Sequence, residues 1–217
     1  MSKLLLIRHG QASLGAPDYD VLSPLGVVQA HRLGAWLATM QVRPDIIVTG
    51  PRKRQRDTAS TLVAAARERG AAFPDPIEDL AFDEYPALEI MQRHAASTRE
   101  HRRAFEATFQ RMMRHWHDDR LGAPEIESCI AFQDRVHRGL AALMQARGQT
   151  ILVVTSAGPV GVGLRVGLDL DPWSAVKTSF IVHNSSVTEL RSRGSGPILT
   201  SFNALPHLHD PAEITLR

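Results

Sequence analysis

Arg8 and His9 stand side by side where the apolar run Leu4-Leu5-Leu6-Ile7 stops abruptly, with Gly10 behind them. A second arginine, Arg54, follows the turn residues Gly50 and Pro51 at the end of another apolar run. Guanidinium forks match phosphate oxygens bidentately, so two arginines flanking an imidazole make a site for a dianionic phosphoryl group. The imidazole between them can act as a nucleophile if it is neutral and held in one tautomer. A third polar segment, Thr155-Ser156, ends the clearest apolar run of the chain. Gly158-Pro159 then marks a helix start, whose free amides attract anions. A single histidine is more often structural than catalytic. The company of two arginines raises this one above that reading.

Other residue groups carry less. Cys129 is the only cysteine, which rules out an intramolecular disulfide and a cysteine-based zinc cluster. It reads as a small apolar residue in or near a helix. His115/His117 and His207/His209 lack the i,i+4 spacing of a metal pair on a helix face. Gly158, Gly161 and Gly163 do not follow the Gly-x-Gly-x-x-Gly order, and they follow a late strand rather than the first. The basic run Arg52-Lys53-Arg54-Gln55-Arg56 resembles a nucleic-acid patch, but helical phasing splays its residues and no aromatics interleave.

The elements that must position these groups alternate in type. Residues 3–7 read as a buried strand. Ser23 is an N-cap with Pro24 at the first helical position, and Leu33, Trp36, Leu37 and Met40 follow at helical spacing. Residues 45–48 form a second strand, leading into a helix with Ala59, Leu62, Val63 and Ala66 on one face. A weak third strand is expected over residues 77–82. Phe105, Phe109, Met112, Met113 and Trp116 mark an amphipathic helix from about Thr98 to His117. After a break at residues 122–124, another helix spans about residues 128–146, with Val136, Leu140 and Leu143 inward. Residues 151–155 are a strand, a helix starts at Gly158-Pro159, and late strands fall near 186–190 and 198–202.

Such alternation predicts an α/β fold: a three-layer αβα sandwich with a mostly parallel central sheet and a helical insertion at about residues 85–125, all in one domain. In open α/β sheets the ligand lies beyond the carboxyl ends of the strands, which gathers Arg8-His9, residues 50–54 and Thr155-Ser156 at one edge. The 217 residues suit a single core, and 43% apolar with 22% charged residues is ordinary for a globular chain. A formal charge of +2 gives no whole-molecule case for nucleic acid or membrane as partner. The apolar run near the N-terminus is too short for a signal peptide and no stretch approaches a membrane span, so a cytoplasmic address is expected.

The chain resembles the histidine phosphatase superfamily, also called phosphoglycerate mutase-like. The family's Arg-His-Gly after an N-terminal strand stands here as Leu6-Ile7-Arg8-His9-Gly10. Its Leu-Ser/Thr-Pro-Leu-Gly, then Gln-Ala, stands as Leu22-Ser23-Pro24-Leu25-Gly26 and Gln29-Ala30. Its Ser-Pro-Leu-x-Arg-Ala-x-x-Thr-Ala is matched by Gly50-Pro51-Arg52-Lys53-Arg54-Gln55-Arg56-Asp57-Thr58-Ala59, and its late Asn-x-Ser-Val-Thr by Asn184-Ser185-Ser186-Val187-Thr188.

The resemblance implies hydrolysis of a small-molecule phosphate monoester through phospho-His9, with no metal or cofactor. Arg8 and Arg54 would neutralise the phosphoryl oxygens, and a carboxylic acid would protonate the leaving group. Glu84, in Phe82-Asp83-Glu84, best fits the family's acid, with Asp79 as competitor. Gly10, Gln11, Ser156 and Ala157 would line the substrate. The family's Val-Val-Ser-His-Gly-Gly is here Val153-Val154-Thr155-Ser156-Ala157-Gly158, so Ser156 stands at the second histidine and Ala157 at a glycine. A serine still donates a hydrogen bond but carries no charge. Losing a transition-state donor costs about 10²–10³ in rate, so slow turnover, or a phosphoester-binding protein, is the expected consequence. A phosphomutase would share the same phosphohistidine. The insertion, with basic residues from Arg99 to Arg114, is placed to cover the pocket.

Overall fold

A computed structural model of the protein describes residues 2–13, 20–87, 90, 102–121, 124–193 and 196–216. Strand β1 (Lys3–Arg8) pairs in parallel with β4 (Thr150–Thr155), β4 with β2 (Ile46–Thr49), and β2 with β3 (Ile77–Glu78). On the other side of β1 lies antiparallel β5 (Val187–Arg193), followed by β6 (Gly196–Ala204). The six-stranded order is β3-β2-β4-β1-β5-β6, a mixed sheet with mostly parallel pairs.

Alternation along the buried strands divides the core in two. Leu5, Ile7, Ile47, Leu152 and Val154 face helices α1 (Pro24–Thr39) and α2 (Lys53–Glu68), where Leu33, Leu37, Ala59, Leu62, Val63 and Ala66 meet them. Leu4, Leu6, Val48, Ile151 and Val153 face the opposite layer. There α4 (Cys129–Met144) and α5 (Ala157–Leu168) cover the sheet, with α3 (Arg102–His117) and α6 (Pro172–Ser179) packed outside them. Successive strand residues point to opposite faces, which is how continuous apolar runs come to serve two layers at once.

Several boundaries differ from the sequence expectation for local reasons. The third strand stops after Glu78, because the Asp79 carboxylate accepts from the Ala81 amide and starts a 3-10 turn over Leu80–Phe82. Helix α5 begins at Ala157, one residue earlier than Gly158-Pro159. Met40 follows the end of α1 and is 58% exposed, outside the core. Helix α6 is an element the periodicity did not predict, although Asp171 caps it and Pro172 opens it. Residues 98–101 of the expected insertion helix lie outside the described residues, as does most of the break at 122–124. The described part buries Met112, Met113 and Trp116, with Trp116 against Tyr85 and Phe132.

Candidate active site

The carboxyl ends of β1, β2 and β4 deliver the chemistry to one edge. Arg8 pairs with Thr155 in the sheet, and the His9 amide donates to the Thr155 carbonyl at 2.8 Å. His9 and Ser156 therefore each stand one residue past that pair, on adjacent strands roughly 5 Å apart. The first turn of α2 supplies Arg54, and the loop after the 3-10 turn supplies Glu84.

His9 is held at both ring nitrogens. Nδ1 lies 2.7 Å from the Gly10 carbonyl oxygen, which can only accept, so Nδ1 carries the proton. Nε2 then presents its lone pair, and Arg54 Nε donates to it at 3.1 Å. Burial, then the charges of Arg54 and Arg8, push the imidazole well below its usual 6.5, against the opposing pull of the Gly10 hydrogen bond. The His9 carbonyl is fixed from below by the Ser185 amide at 3.1 Å and Asn184 Nδ2 at 3.3 Å. The hydrogen bonds thus hold the ring in one tautomer, with the Nε2 lone pair turned to Arg54.

The arginines reach the site with other contacts already made. Arg54 is only 7% exposed and donates through Nη1 to Asp20 Oδ1 at 2.6 Å, while Asp20 Oδ2 also accepts from the Lys53 amide at 2.8 Å. Arg8 Nη1 donates to the carbonyls of Val182 and Leu216. The remaining basic residues of the 52–56 run are charge-compensated: Arg52 pairs with Asp83, Lys53 with Asp57 and Arg56 with Glu78.

The two candidate acids have different partners. The Glu84 carboxylate accepts from the Gly158 amide at the start of α5 (3.1 Å) and from the Tyr85 amide (3.1 Å). Burial raises its pKa above 4.5 against the lowering effects of Arg54, Arg8 and those two amides. Asp79 instead caps the 3-10 turn.

Gly10 contributes its carbonyl to His9 and its amide to Thr58 Oγ1 at 3.0 Å. Gln11 turns toward α1, where its Oε1 accepts from Ser23 Oγ at 2.8 Å. Ser156 is fully buried and accepts from Gln55 Nε2 at 2.8 Å, and Ala157 is buried behind it. Sequence reasoning missed Asp20, and it left Gln55 and Thr58 without roles. Gln55 and Thr58 were visible as motif positions beside Arg54. Asp20 carried no pattern. Among the described residues no group of three or more His, Cys, Asp or Glu could hold a metal ion, and no helix is long and apolar enough to cross a membrane.

A family model described as histidine phosphatase superfamily, branch 1, matches residues 4–205. The chain belongs to that superfamily. A search of curated proteins matched none of them. Among solved structures, this superfamily member is similar to a phosphoserine phosphatase from Entamoeba histolytica in complex with 3-phosphoglyceric acid, with a TM-score of 0.68 and 22% identity over 96% of this chain and 100% of that one. A putative alpha-ribazole-5'-P phosphatase from Escherichia coli K-12 matches with a TM-score of 0.68 and 20% identity, over 94% of this chain and 98% of that one. A mycobacterial glucosyl-3-phosphoglycerate phosphatase with inorganic phosphate matches with 0.65 and 21%, over 95% and 99%. At these identities the likeness is one of fold.

Proposed function

We propose that the protein hydrolyses phosphate monoesters of small molecules through a phosphohistidine at His9. The observation that carries the reading is the His9 ring itself, with Nδ1–H on the Gly10 carbonyl and Nε2 facing Arg54. His9 Nε2 attacks phosphorus, the bond from phosphorus to the leaving oxygen breaks, and Glu84 gives that oxygen its proton. Arg54 Nε, released from Nε2 as the lone pair bonds to phosphorus, follows the charge onto the equatorial oxygens together with Arg8. Water then attacks phosphorus, Glu84 takes its proton, the N–P bond breaks, and inorganic phosphate leaves with His9 regenerated.

Gly10, Gln11, Ser156 and Ala157 bound the phosphoryl group on this reading. Ser156 takes the place of the superfamily's second histidine and offers a neutral donor, so turnover is slow while the arginines retain binding. The test is rapid acid-free quenching with labelled aryl phosphate. An acid-labile, base-stable label on His9, absent in His9→Ala, is expected. Label on serine, or undiminished activity in His9→Ala, overturns the mechanism. Phosphate binding without turnover makes the protein a phosphoester binder, and transfer to a second alcohol makes it a mutase.

A further inference from the structure

We infer that Gln55 is a positioning residue, whose carboxamide holds the Ser156 hydroxyl with its proton directed at the phosphoryl group. The inference rests on the proposed reading of the site and concerns a side chain to which that reading gives no role.

The orientation of the carboxamide follows from its neighbours. Gln55 Oε1 lies 2.9 Å from the Arg52 amide, which can only donate, so the oxygen belongs at that position. Nε2 then faces the Phe82 carbonyl at 3.3 Å and Ser156 Oγ at 2.8 Å, and both must accept from it. Gln55 and Ser156 are fully buried. With a lone pair engaged by Gln55, Ser156 retains one proton to give, and no acceptor for it occurs among the described residues. Ser156 also leads α5 without using its side chain as a cap. Its side chain meets α2 through Gln55 from the adjacent strand end, as that of His9 does through Arg54, which sets the hydroxyl on the same face of the sheet as His9.

The surroundings are shaped to admit this carboxamide. A Cβ at Gly50 would lie 2.3 Å from Gln55 Oε1 and 2.5 Å from the Phe82 carbonyl oxygen. Any side chain at position 50 would expel one or the other. Position 50 is serine and position 55 alanine in the superfamily motif quoted above, and the two departures meet at the Gln55 carboxamide. An apolar side chain at 55 leaves the Ser156 hydroxyl free to rotate, and its proton no longer has a fixed direction.

The test is a double-mutant cycle of Ser156→Ala, Gln55→Met and the double variant, read as kcat and KM on an aryl and an alkyl phosphate. Ser156→Ala should lower kcat by about 100-fold. Gln55→Met should lower it roughly tenfold, as loss of a group that orients a first ligand does. If Gln55 acts through Ser156, the double variant is no slower than Ser156→Ala within about twofold. The Gln55→Met loss should also be equal for both substrates. Additive losses, or a loss confined to the alkyl phosphate, overturn the inference, because Gln55 would then act through the Phe82 carbonyl and the Glu84 loop. Thermal melting shows which variants fold, and Gln55→Leu replaces Gln55→Met if that protein does not.

The two readings fail separately. A wild type no faster than His9→Ala overturns the phosphatase reading, and the cycle is then read from inorganic phosphate affinity in calorimetry. Coupling between the two positions in that affinity supports the pair, and additivity overturns it. A wild type that neither turns over nor binds phosphate overturns both.

Discussion

Burial drives the two reacting groups of the proposed mechanism in opposite directions from their solution behaviour. His9 is pushed below 6.5 by burial and by two guanidinium groups, so its base form persists into acid. Glu84 is pushed above 4.5 by burial, so its acid form persists to higher pH than that of a free carboxyl. A neutral base beside a protonated acid is the state in which attack can begin. The rate on an alkyl phosphate should rise with pH through the lowered His9 ionisation and fall as pH passes the raised Glu84 ionisation. Glu84→Gln should remove the alkaline fall and slow alkyl phosphates by about 10²–10⁴-fold, with a much smaller loss on aryl phosphates that leave without protonation. Profiles of kcat/KM against pH decide this. An unchanged alkaline limb, or an equal effect of Asp79→Asn, removes Glu84 from the role.

At the scale of elements, the reach of these side chains depends on how closely α2 lies on α1. Gly34 makes that approach possible, since a Cβ there would stand 2.1 Å from the Leu62 carbonyl oxygen. Gly34→Ala should force the helices apart and lower stability by about 1–3 kcal/mol, as overpacking does. It should also displace Arg54 from His9, so activity should fall further than in a surface variant of equal stability. Denaturant unfolding measures the first effect, and a full wild-type rate would show that the helix spacing does not set the site. Local signals made most elements legible: Ser23 and Pro24 mark the start of α1, and Ser128 marks that of α4. The third strand is shorter than the sequence suggests because Asp79 offers the backbone a competing turn that no apolar pattern across residues 77–82 reveals. Helix α6 is eight residues long, too short for periodicity to stand out, although its cap and proline were readable. In the site, Arg8, His9 and Arg54 could be read from motifs at strand ends. Asp20 and the Gln55–Ser156 contact could not, because they join segments that only folding brings together.

The molecule as a whole builds the floor of the site from both ends of its chain. Gln29 Nε2 donates to the Glu213 carbonyl, the Asn184 amide to the Thr215 carbonyl, and Arg8 Nη1 to the Leu216 carbonyl. Within this closure sits a second buried histidine. His207 Nε2 lies 2.8 Å from Ser185 Oγ, and Ser185, at φ +58°, gives its amide to the His9 carbonyl. Burial first, then the charges of His209 and Arg32, lower His207 from 6.5 to about 4. Unfolded chain binds this proton below 6.5, whereas folded chain takes it up only near 4, so the folded state loses ground as pH falls between those values. The stability is complete above 6.5. Across the whole interval the loss amounts to roughly 3 kcal/mol from this residue. His9 shifts in the same direction and adds to it, while Glu84, with a raised pKa, loses stability as pH rises instead. His207→Gln keeps a polar partner for Ser185 but has no proton to take up. The difference in urea unfolding free energy between pH 7 and pH 4.5 should therefore shrink by about 2–3 kcal/mol in that variant. An unchanged difference would mean that acid sensitivity arises elsewhere, and that the His207–Ser185 contact under His9 is indifferent to protonation.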